Sequence, residues 1–278
     1  MRYAICNETF VDWPLERACA EAAAAGYTGL EVAPFTLAPL ATDLSVSRRA
    51  AIRDTIRASG LECLGLHWLL AKTTGFHVTH PDASVRRATT EYLGELARLC
   101  RDLDGGVLVF GSPQQRSLLP GTSPQEAIDR LREVFSELVP VLEATGTVVA
   151  LEPLAPTETN VLNTAAETCR LIERIGSPHV RLHLDVKAMS AESEPIPAII
   201  HASFSHLEHF HANDENLRGP GFGTVDFGPI FAALRDVNYP GWVSVEVFDY
   251  APGPERAARE SIAYMRGVEA GLGAAAVR

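Results

Sequence analysis

Four residues with metal-binding side chains each close a short apolar run in the second half of the sequence. They are Glu152 in TVVALEP, Asp185 in VRLHLDV, His211 in LEHFHAND and Glu246 in WVSVEVF. Successive members are separated by 33, 26 and 35 residues. Three carboxylates gathered at one place would repel one another and lose solvation unless a cation lay between them. If the fold brings these four residues together, they predict a divalent metal site.

The types of ligand narrow the choice of ion. Carboxylate and imidazole suit Mn²⁺, Mg²⁺, Co²⁺ or Zn²⁺, and the lack of a thiolate in the set argues against a structural zinc site. We predict one divalent ion, with Mn²⁺ preferred. His183 and His209 stand two residues before Asp185 and His211, so on a strand they point the same way, one layer deeper. We expect them to be hydrogen-bonded groups that orient the ligands rather than ligands themselves.

The rest of the sequence alternates short apolar runs with longer segments of helical period, which is typical of βα units around a parallel sheet. Ser84–Leu103 and Pro124–Leu142 have the apolar spacing of amphipathic helices. Helix starts are predicted after Asp12, Ser123 and Thr164. The predicted strands are Tyr3–Cys6, Gly29–Ala33, Glu62–His67, Gly106–Phe110, Thr147–Glu152, Val180–Asp185, Leu207–His211 and Trp242–Val247.

Eight such repeats predict an α/β fold, a single (β/α)₈ TIM barrel, with one domain over residues 1–278. A doubly wound open sheet is the alternative, but no G-x-G-x-x-G motif follows the first predicted strand. In a barrel, reactive groups lie at the carboxyl ends of the strands, where all four candidate ligands stand. The predicted fold therefore brings them to one mouth.

Composition limits the class of partner. The chain carries 24 Lys and Arg against 35 Asp and Glu, a net charge of −11, which does not favour binding to nucleic acid or to an anionic membrane. No run of about 18 apolar residues is present, and no secretory signal opens the sequence. The five cysteines have no paired CxxC spacing and fit reduced core positions. We expect a cytoplasmic protein with a small-molecule partner, and a homo-oligomer remains compatible with the sequence.

Other side chains near predicted strand ends are candidates for substrate binding. His67 and Trp68 stand at the end of the third predicted strand and could provide a polar contact and an apolar wall for a small-molecule substrate. Glu31, in the second strand, could accept a hydrogen bond from a hydroxyl. Arg116, in the loop after the fourth strand, could hold a hydroxyl or a phosphate.

The ordered motifs LEP, LDV, HAND and VSVEVF resemble the sugar isomerase and epimerase branch of the xylose-isomerase-like barrels. That superfamily includes ketose 3-epimerases, hydroxypyruvate isomerase and endonuclease IV. The resemblance implies that Glu152, Asp185, His211 and Glu246 bind one metal ion, and that the two glutamates also form a proton-transferring pair on either side of the substrate. It further implies a substrate contact by Arg218 in the loop after the histidine ligand.

The sequence departs from the family pattern at one position. Many members carry a histidine three residues after the aspartate ligand, whereas this chain has Ala188 in LDVKAM. Lys187 could replace the missing substrate contact or be a solvated loop residue.

We therefore predict a metal-dependent isomerase or epimerase of a sugar or sugar phosphate, acting by proton transfer through a metal-bound enediolate. The alternative is a lyase or dehydratase that acts on an oxidised sugar or glycoside with the same residues. An endonuclease would need a basic DNA-binding face and more metal ligands, which the net charge of −11 does not favour. A non-catalytic sugar-binding barrel would lack turnover of any ketose.

Overall fold

The structure, a computed structural model, describes residues 1–276. Within them the chain forms eight parallel strands that close into a barrel in sequence order, with β1 paired to both β2 and β8. The last two residues of the predicted domain, 277 and 278, lie outside the described residues. The strands are β1 Arg2–Cys6, β2 Gly29–Val32, β3 Glu62–Leu66, β4 Val107–Phe110, β5 Val148–Leu151, β6 Val180–Asp185, β7 Leu207–Ala212 and β8 Trp242–Val245.

Helices follow the strands and surround the barrel. Strands such as VVAL in β5 are apolar on both faces because they pack against side chains inside the barrel and against helices outside it. The helices are α1 Leu15–Ala25, α2 Val46–Ala58, α3 Ala83–Asp102, α4 Pro124–Thr145, α5 Ala165–Ile175, α6 Val186–Met189, α7 Ile196–Ser203, α8 Phe227–Asp236 and α9 Pro254–Ala276. None of the helices described is long and apolar enough to cross a membrane.

The predicted TIM barrel is confirmed, and each predicted strand overlaps an observed one. The two predicted helices correspond to α3 and α4. The observed strands are mostly a residue or two shorter, since hydrogen-bonded pairing stops before the apolar run ends. Consequently Glu152 and Glu246 lie just beyond their strands, at the start of the loops.

Two of the three predicted helix starts are confirmed. Ser123 and Glu126 form a reciprocal capping box at α4, and the side chain of Thr164 accepts a hydrogen bond from the Glu167 amide at α5. The prediction for Asp12 is wrong. The N-cap of α1 is Pro14, which has no side-chain acceptor, and Asp12 lies in the preceding turn with a positive φ of 61°.

Candidate active site at the carboxyl end of the barrel

The four predicted ligands lie at the carboxyl ends of β5 to β8. Glu152 follows β5, Asp185 ends β6, His211 lies in β7 and Glu246 follows β8. All four are buried, with exposed fractions of 8%, 0%, 1% and 3%. Their burial at one mouth follows from the barrel, since neighbouring parallel strands end at the same edge.

The register between β6 and β7 orders the histidines into two layers. Asp185 pairs with His211, and His183 pairs with His209. Because alternate residues of a strand point the same way, His183 and His209 lie inside the barrel beneath the mouth. The expectation that His209 is hydrogen-bonded is confirmed, because its Nε2 donates to Glu31 Oε2 at 2.9 Å.

His183 differs from that expectation. Its side chain is fully buried, yet neither ring nitrogen has a hydrogen-bond partner among the described residues. Burial, followed by the neighbouring His211 and His209, holds the pKa of His183 well below its ordinary value, so the ring is neutral. The ring centroids of His183 and His211 are 4.2 Å apart.

Ligand atoms of Glu152, His183, Asp185 and His211 all lie within 4.8 Å of one another. Glu246 is not in this group: its ligand atoms lie within the same limit of those of Glu8 and His67, and its Oε2 is 3.1 Å from His211 Nδ1. Burial raises the pKa of Glu152 well above its usual value, and repulsion from Asp185 and Glu246 raises it further. Burial and Glu246 raise the pKa of Asp185 to about 6. Buried carboxylates that repel one another beside a neutral, unpartnered imidazole fit a divalent cation.

Glu31 lies beneath His211 rather than in the mouth. Its carboxylate lies 3.0 Å from His211 Nε2, so it holds the imidazole with Nδ1 turned towards Glu246. Burial acts to raise the pKa of Glu31, but His211 and His209 hold it well below its usual value. The residue is only 1% exposed, and both of its oxygens are bonded to histidines. It does not line the cavity that is described below.

His67 is also buried beneath the mouth. Its Nε2 donates to Glu8 Oε2 at 2.6 Å, and this contact fixes Glu8 in the turn that follows β1. His67 does not line the cavity, whereas its neighbour Trp68 does. Trp68 has a φ of 52°, and its Nε1 donates to Glu246 Oε1 at 2.6 Å.

A cavity of about 470 Å³ opens above these groups, and we call it the catalytic cavity. Its volume lies within the range of about 300–1,000 Å³ that is usual for small-molecule sites. Glu152 and Glu246 line it together with Trp68 and Phe248. Gly111 leaves room for the carboxylate, since a Cβ there would lie 2.3 Å from Glu152 Oε2.

Lys187 supplies a cation to the catalytic cavity. Its Nζ donates to Glu158 Oε1 at 2.7 Å and lies 4.3 Å from the centroid of the Phe248 ring. Burial acts to lower the pKa of Lys187, but Asp185 and Glu158 raise it above its ordinary value, so the ammonium stays charged. Ala188 is buried and does not line the catalytic cavity, whereas its neighbour Lys187 does.

The two predicted arginines do not line the catalytic cavity. Arg116 is fully buried behind it, because its guanidinium donates to the backbone oxygen of Glu152 at 2.6 Å. Arg218 donates to Asp249 Oδ2 at 2.8 Å in the outer loops.

Residues that the sequence did not single out complete the site. Glu8, Glu158 and Phe248 follow strands or lie in loops where no periodic pattern places them. Asn213 donates to Asp185 Oδ2 and accepts a bond from the Lys187 amide at 2.8 Å. Its place in HAND, directly after the histidine ligand, is the only sequence signal that could have indicated it.

The comparisons with known proteins agree with this geometry. The family model described as xylose isomerase-like TIM barrel matches residues 19–268. A 3-dehydro-D-guloside 4-epimerase of Escherichia coli K12 is 37% identical over 153 residues, which cover 54% of this chain and 58% of that protein, so the match spans little more than half of the relative. An L-ribulose 3-epimerase of Methylomonas sp. DH-1 is 26% identical over 85% of this chain and 80% of its own length.

Solved structures show the same fold. The structure of an L-ribulose 3-epimerase superposes with a TM-score of 0.86 at 23% identity, covering 99% of this chain and 97% of the other. The family match extends across seven of the eight strands, from β2 to β8, and includes all four candidate ligands. The chain belongs to the xylose isomerase-like TIM barrel family.

Proposed function

We propose that this protein is a divalent-metal-dependent epimerase or isomerase of keto sugars, in which Glu152 and Glu246 transfer the proton. The observation that carries the proposal is the position of the two glutamates. Both line the catalytic cavity, and they follow β5 and β8, which two other strands separate around the barrel. A substrate between them would have a carboxylate on each face.

The names of the relatives support this reaction class. A 3-dehydro sugar that is inverted at carbon 4 and a 2-ketose that is inverted at carbon 3 have one feature in common. In each, the inverted carbon is bonded to the carbonyl carbon, so its hydrogen is acidic. We infer the same chemistry for this chain. Comparison of several free and phosphorylated sugars would identify the substrate.

Glu152, Asp185, His211 and Glu246 would hold the metal, which when bound supplies Lewis-acid polarisation of the substrate carbonyl, and Mn²⁺ is the proposed ion. One glutamate removes the proton beside the carbonyl to give an enediolate, and the other returns a proton to the opposite face. Trp68 and His211 each contact one oxygen of Glu246 and so fix that carboxylate. Lys187 would donate a hydrogen bond to a substrate oxygen, and the aromatic wall would exclude water.

Deuterium exchange tests the proposal. Ketoses, their phosphates and 3-dehydro glycosides would be incubated with the Mn²⁺-loaded protein in deuterated water and examined by mass spectrometry. Deuterium at one carbon beside the carbonyl, with no fragment lost, is the expected result. It should disappear after chelation and return with Mn²⁺, Mg²⁺ or Co²⁺. Release of water or an aglycone would instead support the lyase, and no exchange or conversion of any sugar would contradict the proposal.

We further propose that the barrel forms one cytoplasmic domain over residues 1–278. The family match to residues 19–268 and the closure of β1 against β8 support a single unit. Unfolding followed by fluorescence and by circular dichroism should show one transition with the same midpoint.

A further inference from the structure

A second cavity of about 490 Å³ lies beside the catalytic cavity, at the mouth of β1 to β3. The two share Trp68 and Lys72 as lining residues. None of the four candidate metal ligands lines this second cavity. Its aromatic lining residues are Phe10, Trp13, Phe35, Trp68 and Tyr250.

Three aromatic rings connect the cavities. Trp68 is the middle ring, with its centroid 5.7 Å from that of Phe35 and 5.9 Å from that of Phe248. Phe35 lines the second cavity and Phe248 lines the catalytic cavity. A molecule that lies along Trp68 can therefore enter both cavities.

Glu8 lines the second cavity and has an acceptor that is unpaired within the described part of the chain. The residue is 4% exposed, and its Oε2 accepts the bond from His67. Its Oε1 is buried without a hydrogen-bond partner among residues 1–276. A buried acceptor that is left unpaired is destabilising, so a ligand with a hydroxyl donor would be favoured there.

The charges of the second cavity limit the class of ligand. The guanidinium of Arg17 lies 3.4 Å from the centroid of Trp13, and Lys72 Nζ lies 4.1 Å from that of Phe35. These cations of the chain already cover two of the aromatic rings, so a cationic ligand would be repelled. The carboxylate of Glu8 disfavours an anionic ligand. Aromatic faces beside a carboxylate acceptor and an ammonium donor fit a neutral polyhydroxylated ring.

We propose that the second cavity is a glycosyl subsite, and that the substrate is a glycoside with at least two rings rather than a free monosaccharide. This inference rests on the proposed function, since it assumes that the reacting keto sugar occupies the catalytic cavity. The second ring lies against Trp68 and donates a hydroxyl hydrogen bond to Glu8 Oε1.

Binding of matched one-ring and two-ring sugars to the Mn²⁺-loaded protein tests the subsite. The probes are D-fructose with four of its glucosyl derivatives, turanose, maltulose, leucrose and isomaltulose, and methyl 3-dehydro-β-D-glucoside with 3-dehydrocellobiose. We expect at least one two-ring sugar to bind about tenfold more tightly than its one-ring partner, measured as Kd by titration calorimetry. Trp13→Ala and Glu8→Gln should each reduce this advantage to about twofold or less, and Trp13→Ala should leave one-ring binding unchanged.

Phe204→Ala is the matched control. It removes an aromatic ring that is 36% exposed just before β7, at the opposite end of the barrel, and should leave the advantage intact. Thermal unfolding monitors folding of each variant, and Glu8→Gln keeps the test valid if Trp13→Ala does not fold. Equal or weaker binding of every two-ring sugar overturns the subsite, as does an advantage that survives both variants. Exchange of the one-ring sugars in deuterated water reports separately on the proposed function.

Discussion

Trp68 Nε1 donates a 2.6 Å hydrogen bond to Glu246 Oε1, while Glu246 Oε2 lies 3.1 Å from His211 Nδ1. A residue from the loop after β3 thus fixes a carboxylate that follows β8, across the mouth of the barrel. The pair joins the aromatic wall of the cavity to the proposed proton-transferring group. Rotation of Glu246 away from this position would break the bond to Trp68.

Replacing Trp68 by Phe should lower kcat by about 10- to 100-fold, because a hydrogen bond to a charged group contributes about 1.5–3 kcal/mol. The aromatic wall is retained, so KM should change much less. Trp242→Phe is the control, since Trp242 stands at the start of β8, far from the mouth. Steady-state kinetics of both variants on the best substrate gives the comparison. Equal kcat values for Trp68→Phe and wild type would remove this positioning role.

Glu31→Gln should weaken binding of Mn²⁺ by about 10- to 100-fold. The carboxylate holds His211 through Nε2, and loss of such a partner usually costs that much affinity. The measurement is the Kd of Mn²⁺, followed by electron paramagnetic resonance without any substrate. Glu208→Gln is the control: Glu208 is on β7, the strand of His211, its side chain is 36% exposed, and the variant should bind Mn²⁺ normally. If both variants bind Mn²⁺ as wild type does, the bond from Glu31 does not position a metal ligand.

Replacement of the two histidines of β7 should affect Mn²⁺ binding to different degrees. His211→Ala removes a proposed ligand and should abolish Mn²⁺ binding at concentrations that saturate wild type. His209→Ala should retain most of it, because His209 contacts Glu31 and lies one layer deeper. Metal content after dialysis, measured by mass spectrometry, separates the two outcomes. Equal loss of metal in both variants would place the ion deeper in the barrel, towards His183.

Lys187 and Glu158 should act as a coupled pair in substrate binding. Lys187→Met should raise KM by about tenfold and leave Mn²⁺ binding within about twofold of wild type, since its Nζ faces the catalytic cavity. Glu158→Gln should have a smaller effect alone. In the double variant the effects should not add, because the residues are 2.7 Å apart. Additive changes in KM would show that the two side chains act independently.

The sequence was sufficient to predict the barrel and the residues at its strand ends, because both depend on the alternation of short apolar runs with segments of helical period. Side-chain direction beyond a strand end depends on the loop. The backbone at Trp68 takes a left-handed turn, and this places the indole in the cavity while His67 stays beneath it. The register shift between Leu30 and Glu31 gives no signal in composition, so the position of Glu31 under His211 was not predictable.

Hydrogen bonds between residues that are distant in the sequence were the hardest feature to predict. Arg116 could be assigned to a sugar from its loop, but in the fold its guanidinium is used by the backbone oxygen of Glu152. Glu8 lies in a short turn of residues 7–9, which has neither strand nor helix period. Its importance follows only from the cavity that it lines and from His67, which stands 59 residues away in the sequence.

Arg49 gives a prediction for stability that is independent of the site. Its side chain is 10% exposed and lies between α2 and α3, where it donates to Asp102 Oδ2 at 3.0 Å, to Glu95, and to two backbone oxygens. Arg49→Met removes these bonds, while Asp102 keeps Arg101 and Glu95 keeps Arg98, and should lower the free energy of unfolding by about 1–3 kcal/mol. Arg53→Met is the control, since Arg53 is 31% exposed, its partner Asp54 is 63% exposed, and such pairs contribute less than about 1 kcal/mol.

The effect of Arg49→Met should depend on pH in a defined direction. Burial acts to raise the pKa of Asp102, but Arg101 and Arg49 hold it below its usual value. A carboxyl group whose pKa is lower in the folded state stabilises the fold above its unfolded pKa of about 4, and this stabilisation is lost as the pH falls through the folded value. The difference in urea midpoint between wild type and Arg49→Met should therefore be largest near pH 7 and shrink below about pH 4. A difference that is constant from pH 7 to pH 3 would assign the loss to packing of the Arg49 side chain and its backbone contacts, and not to its charge.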